Sequence, residues 1–357
     1  VNATDKADWD KAYDELLANQ LALALVRTQL KGVASRPRLP TGDIASRLRA
    51  ALPFRMTASQ DAAIADAVAD LSAPSRMVRL IQGDVGSGKT MVALFAAAAA
   101  VEAGGQVAVM APTELLARQH AHSMSSLAEA AGLRLALLTG ADKAKGRRET
   151  LERIAAGEVD IVVGTHALFQ TAVEFRNLTL AVVDEQHRFG VHQRLALSAK
   201  GPTTDLLVMT ATPIPRTLML AYFGDMDVSR LTEKPAGRKP IATVTVPQDR
   251  IGEIVGRIGS AIRLEGAKVY WVCPLIEESE SIDLAAAEER YADLRQHFGD
   301  DVALVHGRMK AAEKDAAMAR FKTGEAHILV ATTVIEVGVD VPDATIIVIE
   351  HAERFGL

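Results

Sequence analysis

The stretch Gly83-Asp-Val-Gly-Ser-Gly-Lys-Thr90 carries the spacing G-x-x-x-x-G-K-[ST]. Gly83, Gly86 and Gly88 let backbone N–H groups turn onto phosphate oxygens where a side chain would block the approach. Asp84, Val85 and Ser87 complete the loop. Lys89 would reach the β- and γ-phosphates, and the Thr90 hydroxyl would ligate Mg²⁺. An apolar strand precedes the loop and an apolar helix follows, so the helix would present its positive end to the same anion. A nucleotide with Mg²⁺ is the ligand this arrangement implies.

A second constellation closes the strand Leu180-Ala-Val-Val-Asp-Glu-Gln-His187. Asp184 would hold the Mg²⁺, usually through water, and Glu185 would orient or deprotonate an attacking water. Acidic pairs at strand ends are common, and the phosphate loop upstream on the same sheet is what favours the catalytic reading. His187 fits a catalytic or coupling role and a hydrogen-bonded structural role about equally. Met209-Thr-Ala-Thr-Pro-Ile-Pro-Arg-Thr217 ends another strand, and there Thr210 and Thr212 could sense the γ-phosphate side. Thr57 with Gln60 three residues on is a capping box for the helix beginning at Asp61. Gln60 is therefore a cap or an adenine reader, and the residues alone leave both open.

These groups need a scaffold, and apolar periodicity supplies it. Residues 8–31 read as one helix apolar on two sides, suited to a strut between two bodies, and Arg36-Pro-Arg-Leu-Pro40 breaks it. A short helix can start at Thr41-Gly-Asp43. After Thr90 the run to Val101 is apolar all round and stops at Gly104-Gly105, which predicts a buried helix with a glycine C-cap. Continuous β-rich runs at 106–110, 133–138, 159–163, 180–183 and 206–209 alternate with helices, the pattern of a parallel sheet covered on both faces. A second series follows at 241–246, 268–273, 302–306, 328–331 and 346–349, without a phosphate loop of its own. The fold class is α/β, with ligands at the carboxyl ends of the strands.

A length of 357 residues exceeds one ordinary core and predicts two domains with an appendage. The net charge of −5 excludes a generally basic coat, so any nucleic-acid contact must be focal. The single Cys273 excludes an internal disulfide framework, and its neighbours Val-Tyr-Trp-Val make it a packed thiol. No apolar run has membrane-spanning length and the start is not a secretory signal, which favours the cytoplasm. Lys143, Lys145, Arg147 and Arg148 cluster at a helix start, where a solvated face is the better reading than a DNA contact.

In these motifs the chain resembles superfamily 2 helicases. Residues 83–90, Asp184-Glu-Gln-His187 and Thr210-Ala-Thr212 are similar to motifs I, II and III. Ala111-Pro-Thr-Glu-Leu-Leu-Ala-Arg-Gln-His120 resembles motif Ia, Gly164-Thr-His-Ala-Leu168 motif Ib, and Ala331-Thr-Thr-Val-Ile-Glu-Val-Gly-Val-Asp-Val-Pro342 motif V. Gln82-Gly-Asp-Val-Gly-Ser-Gly-Lys-Thr90 and Asp184-Glu-Gln-His-Arg-Phe-Gly-Val191 resemble the RecG family of bacterial branch-migration and fork-reversal helicases. Thr212-Pro-Ile-Pro-Arg-Thr217 is shared with transcription-repair coupling translocases, whereas Glu185-Gln-His and Tyr13-Asp-Glu-Leu-Leu-Ala-Asn-Gln20 favour RecG.

The resemblance implies two RecA-like domains in tandem and an ATP-dependent DNA helicase acting on branched duplexes, junctions and forks, as a monomer. Gln60 corresponds to the family's adenine-reading glutamine. Thr113, Arg118, Thr165, Thr332 and Thr333 fall where related translocases touch DNA phosphates, contacts that need no base specificity. Gly338 and Asp340 would link the second domain to nucleotide and DNA. The implied layout is a helical connector over 1–52, domain 1 over 53–226, a linker over 227–240 and domain 2 over 241–357. The family's N-terminal wedge domain and its motif VI, whose arginines complete the ATPase, have no counterpart in this sequence. Two alternatives stand beside this reading: a coupling-type duplex translocase, and a nucleotide-dependent DNA-binding module without turnover.

Overall fold

The computed structural model describes residues 17, 37–140, 144–170, 172–184, 203–211, 226–233, 241–273, 280–332, 341 and 343–355. The helix expected over 8–31 lies outside them apart from Leu17. The chain forms two compact units, Val1–Lys239 and Pro240–Leu357, each built on its own parallel sheet.

In the first unit, the strand before the glycine loop and the β-rich runs become β1 (Val78–Gly83), β2 (Gln106–Met110), β3 (Leu135–Leu138), β4 (Ile161–Gly164), β5 (Leu178–Asp184) and β6 (Asp205–Thr210), and a further strand is β7 (Asp227–Leu231). Their spatial order is β3-β4-β2-β5-β6-β1-β7, every pairing parallel. β2, β4 and β5 are buried along their whole length, as expected for strands covered on both faces. Among the described residues, helices α1 (Asp43–Ala51), α2 (Ala58–Leu71), α3 (Lys89–Glu102), α4 (Glu114–Ala130) and α5 (Ala144–Ala156) belong to this unit.

α3 shows why its sequence is apolar all round. Residues 92–100 are all buried, because α3 packs among α1, α2 and the sheet. It ends as its glycines predict: Gly104 takes φ +84, Gly104 N donates to Val101 O at 2.8 Å, and Gly105 N donates to Ala100 O at 3.0 Å. α1 starts without a side-chain cap of its own. Its free amides are met by Glu102 at the far end of α3, which accepts from Gly42 N at 2.7 Å and Ile44 N at 2.9 Å. The segment before α1 is pinned by Arg38, which pairs with buried Asp205 at the start of β6, while Arg38 N donates to Leu71 O at 3.0 Å.

Two expectations need correction. Residues 227–231, assigned to a linker, form β7 and extend the first sheet beside β1. The run Asp-Val-Ser-Arg-Leu is short and polar, which suits an edge strand whose outer side need not be apolar. Its polar groups are used: Ser229 Oγ accepts from Arg79 Nη1 and donates to Asp66 Oδ2, both at 2.7 Å. Conversely, 241–246 is no strand. Ile241 and Val244 are 79% and 75% exposed, and no described strand pairs with this run. β propensity without a ladder partner does not make a strand.

The second unit holds β8 (Lys268–Cys273), β9 (Val302–Val305), β10 (Ile328–Thr332) and β11 (Ala344–Ile349) in the order β11-β8-β10-β9, again parallel. Helices α6 (Ile251–Glu265), α7 (Glu280–Phe298) and α8 (Ala311–Thr323) belong to it. Trp271, fully buried, centres the core with Ile258, Leu294, Val302 and Ile328. Just past β11, Glu350 accepts from Trp271 Nε1 at 2.5 Å and from Arg290 Nε at 2.6 Å. Among the described residues no helix is long and apolar enough to cross a membrane.

Candidate nucleotide and nucleic-acid site

Parallel pairing brings the first unit's candidate residues to one edge. Register aligns Met110 with Gly164 and with Val183, Asp184 with Met209, and Gln82 with Thr210. Along the carboxyl edge, in the spatial order β4-β2-β5-β6-β1, stand Thr165, Thr113, Asp184, Thr210 and the loop from Gly83. β6, which ends in Thr210, lies between the strand of the loop and the strand of Asp184. Residues far apart in sequence thus form a row with the phosphate loop at one end and the threonines after β2 and β4 at the other.

The loop itself has the form its glycines predict. Gly86 and Gly88 take φ values of +74 and +86, where an L side chain is strained. A Cβ on Gly83 would lie 2.6 Å from Ser87 Oγ, and one on Gly88 would overlap Gln60 Nε2. Ser87 Oγ is buried without a hydrogen-bond partner among the described residues. A glycine-lined cradle with one unused hydroxyl at the start of α3 fits phosphate oxygens. Lys89 Nζ donates to Gly83 O at 2.7 Å and Asp84 O at 3.0 Å, so the ammonium sits within the loop. Thr90 follows in the first turn of α3, half-buried. Val85 stands 70% exposed at the loop.

Gln60 turns out to be a cap and more. Its Oε1 accepts from Thr57 N at 2.8 Å and Thr57 Oγ1 accepts from Gln60 N at 3.2 Å, so both halves of the capping box are made. Its Nε2 donates to Ser87 O at 2.7 Å, which ties the start of α2 to the phosphate loop. The amide of Ser59 donates to Glu233 Oε2 at 2.6 Å. That bond and the Ser59 hydroxyl hold the Glu233 carboxyl below the ordinary carboxylate range.

The candidate DNA contacts divide. Thr113 is the N-cap of α4, its hydroxyl accepting from Leu116 N at 3.3 Å. Arg118 is half-exposed and pairs with Glu114 at 2.6 Å across one turn. Thr165 is buried and caps a short 3₁₀ turn over His166–Phe169 through its carbonyl, without a side-chain cap. Thr332 ends β10 in the second unit, buried, its hydroxyl without a partner among the described residues. Thr210 is buried at the end of β6. In the basic cluster Arg147 donates to Thr139 O at 3.0 Å, while Arg148 faces Glu152 at 3.5 Å in solvent. Glu185, His187, Thr212, Thr333, Gly338, Asp340 and Lys143 lie outside the described residues.

One residue the motifs did not single out reaches the site. His120 Nε2 lies 2.6 Å from Asp184 Oδ2, both side chains buried. The signal was present as a histidine inside the apolar stripe Leu116, Ala117, Ala121, Met124 of α4. Cys273, at the end of β8, is a packed thiol: burial and the nearby Glu350 carboxylate push its pKa up to about 12.

Residues 57–220 match the family "DEAD/DEAH box helicase" and residues 253–354 match "Helicase conserved C-terminal domain". The chain is 48% identical over 349 residues to "ATP-dependent DNA helicase RecG" of Escherichia coli (strain K12), covering 96% of this chain and 50% of that protein. It is 48% identical over 351 residues to the protein of the same name from Bacillus subtilis (strain 168), covering 97% and 51%. The chain belongs to the RecG family of superfamily 2 helicases. A solved structure described as "Structure of RecG bound to three-way DNA junction" agrees at a TM-score of 0.82 and 40% identity, over 99% of this chain and 46% of that one. The two parallel sheets are accordingly RecA-like domains. This RecG-family chain spans about half the length of the curated relatives it matches.

Proposed function

We propose that the chain is the motor portion of an ATP-dependent DNA helicase that remodels branched DNA, driving Holliday-junction branch migration and reversal of stalled forks in the bacterial cytoplasm. The observation that carries this reading is the carboxyl edge of the first sheet, where the phosphate loop, Thr210 and Asp184 end adjacent strands. The RecG solved with a three-way junction supports DNA as the partner.

Backbone amides of Gly83, Asp84, Val85, Gly86, Ser87 and Gly88 would cradle the ATP phosphates, and Gln60 would read adenine. Lys89 would exchange the Gly83 and Asp84 carbonyls for phosphate oxygens, a charge-assisted contact stronger than the one it leaves. Thr90 and Asp184 would hold Mg²⁺, which when bound neutralises charge on the β- and γ-phosphates. Glu185 would orient the attacking water, with His187, Thr210 and Thr212 relaying the state of the γ-phosphate. Thr113, Arg118, Thr165, Thr332 and Thr333 would touch DNA phosphates, and Gly338 with Asp340 would tie the second domain to both ligands. With a net charge of −5, binding would be confined to such a track.

The test is ATP hydrolysis by the full-length protein without DNA, with linear duplex and with a three-way junction. The junction should stimulate most, Lys89→Ala should abolish turnover, and Glu185→Gln should bind ATP without hydrolysing it. Equal rates with and without DNA, or an active Lys89→Ala variant, would remove the assignment.

A further inference from the structure

Among the described residues Asp184 has one side-chain partner, and it comes from a helix outside the nucleotide loop. The His120 and Asp184 side chains are only 11% and 10% exposed, at 2.6 Å. His120 stands in the buried stripe of α4 with Leu116, Ala117, Ala121 and Met124. Each of those neighbours is apolar, so packing alone requires no imidazole. A buried imidazole N–H costs free energy unless it is used, and a buried carboxylate costs more. The contact answers both needs. It fixes Oδ2 of Asp184 and leaves Oδ1 for a metal ion or its water, the outer-shell arrangement that orients a ligating carboxylate.

The same helix begins at Thr113 and carries Arg118 on its exposed side. Thr113 and His120 are two turns apart, about 10 Å along the axis. α4 is thus a short rigid connection between candidate DNA-phosphate contacts and the metal-side carboxylate.

The geometry points to His120 as a positioning residue that sets Asp184 and makes that setting depend on α4, so that DNA held at the start of α4 is felt at the metal side of the nucleotide site. The inference rests on the roles proposed above for Asp184, Thr113 and Arg118. It requires no proton transfer, only an Nε2–H that donates to an ionised carboxylate.

The test uses the full-length protein with His120→Leu, His120→Gln and Lys89→Ala. Leucine suits the apolar stripe and removes the donor, whereas glutamine retains an N–H at similar reach. Two quantities are read: the Mg²⁺ concentration that half-saturates binding of a fluorescent ADP analogue without DNA, and the ratio of ATP hydrolysis with and without junction DNA. Loss of such an outer partner typically costs roughly 10–100-fold, so His120→Leu should raise the Mg²⁺ half-saturation and lower the DNA ratio by about tenfold or more. His120→Gln should recover most of both. A folded His120→Leu protein with either quantity within about twofold of the parent overturns the inference, as does a folded His120→Gln protein no better than His120→Leu. Failure of both variants to fold would mark the pair as structural and overturn it too. Should Lys89→Ala bind and hydrolyse nucleotide normally, the nucleotide site itself is misassigned, whatever the His120 variants show.

Discussion

Gln60 Nε2 donates a 2.7 Å hydrogen bond to the carbonyl of Ser87, so the residue that closes the capping box of α2 also braces the phosphate loop. The same amide occupies the space that a side chain on Gly88 would need. Loop shape and helix start are therefore set by one buried side chain.

That double role separates two variants. Gln60→Ala removes a cap and leaves the Ser87 carbonyl without its donor, which should cost about 1–3 kcal/mol in urea unfolding. Gln60→Glu keeps an acceptor for Thr57 N and loses only the donor. It should preserve most of the stability while weakening nucleotide binding, and unchanged affinity in a nucleotide titration would show that the brace is idle. Gly88→Ala, at φ +86, should lose about 1–2 kcal/mol and nucleotide affinity together.

Glu102 supplies a pH dependence. Burial acts to raise its pKa, but the amides of Ile44 and Gly42 and the Thr41 hydroxyl outweigh it and hold the carboxyl below its ordinary value. A depressed folded-state pKa means stabilisation that is complete above the unfolded value, roughly 4.3, and lost as pH falls through the folded one. Melting midpoints of the parent should drop more steeply below that region than those of Glu102→Gln, which should already be lower at neutral pH. Parallel pH profiles would exclude the cap.

In the second unit Glu350 joins Trp271 and Arg290 where both are largely buried. Glu350→Ala leaves the indole N–H without its acceptor and the guanidinium with only the exposed Asp293 at 3.3 Å, and removal of one partner from a buried pair typically costs about 3–5 kcal/mol. Glu350→Gln keeps an acceptor for the indole and should cost less. Chemical unfolding followed by tryptophan fluorescence reads both, and a neutral Glu350→Ala would show that water replaces the carboxylate.

Cys273, with its pKa pushed up to about 12, should stay unmodified by a thiol reagent at pH 8 while the protein is folded. Labelling should follow unfolding, and rapid labelling of the native protein would contradict the burial.

Much of the local geometry was legible in the chain because it depends on near neighbours. The glycine spacing of 83–90, the Thr57–Gln60 box and the Gly104-Gly105 stop are short-range patterns, and each appears as read. The buried parallel strands announced themselves as continuous apolar runs. What failed depended on a partner. Residues 227–231 are a strand because β1 offers an open edge and Arg79 offers Ser229 a bond, whereas 241–246 has the right residues and no described neighbour.

The sequence by itself determined which residues could cradle phosphate and that they would sit at the ends of parallel strands, since local geometry and apolar periodicity are written in consecutive residues. Only the tertiary structure decided that Gln60 would brace Ser87 and that His120 would meet Asp184 across 64 residues of chain. Such pairings follow from strand order and helix packing, where a buried polar group takes whichever partner the fold brings within reach.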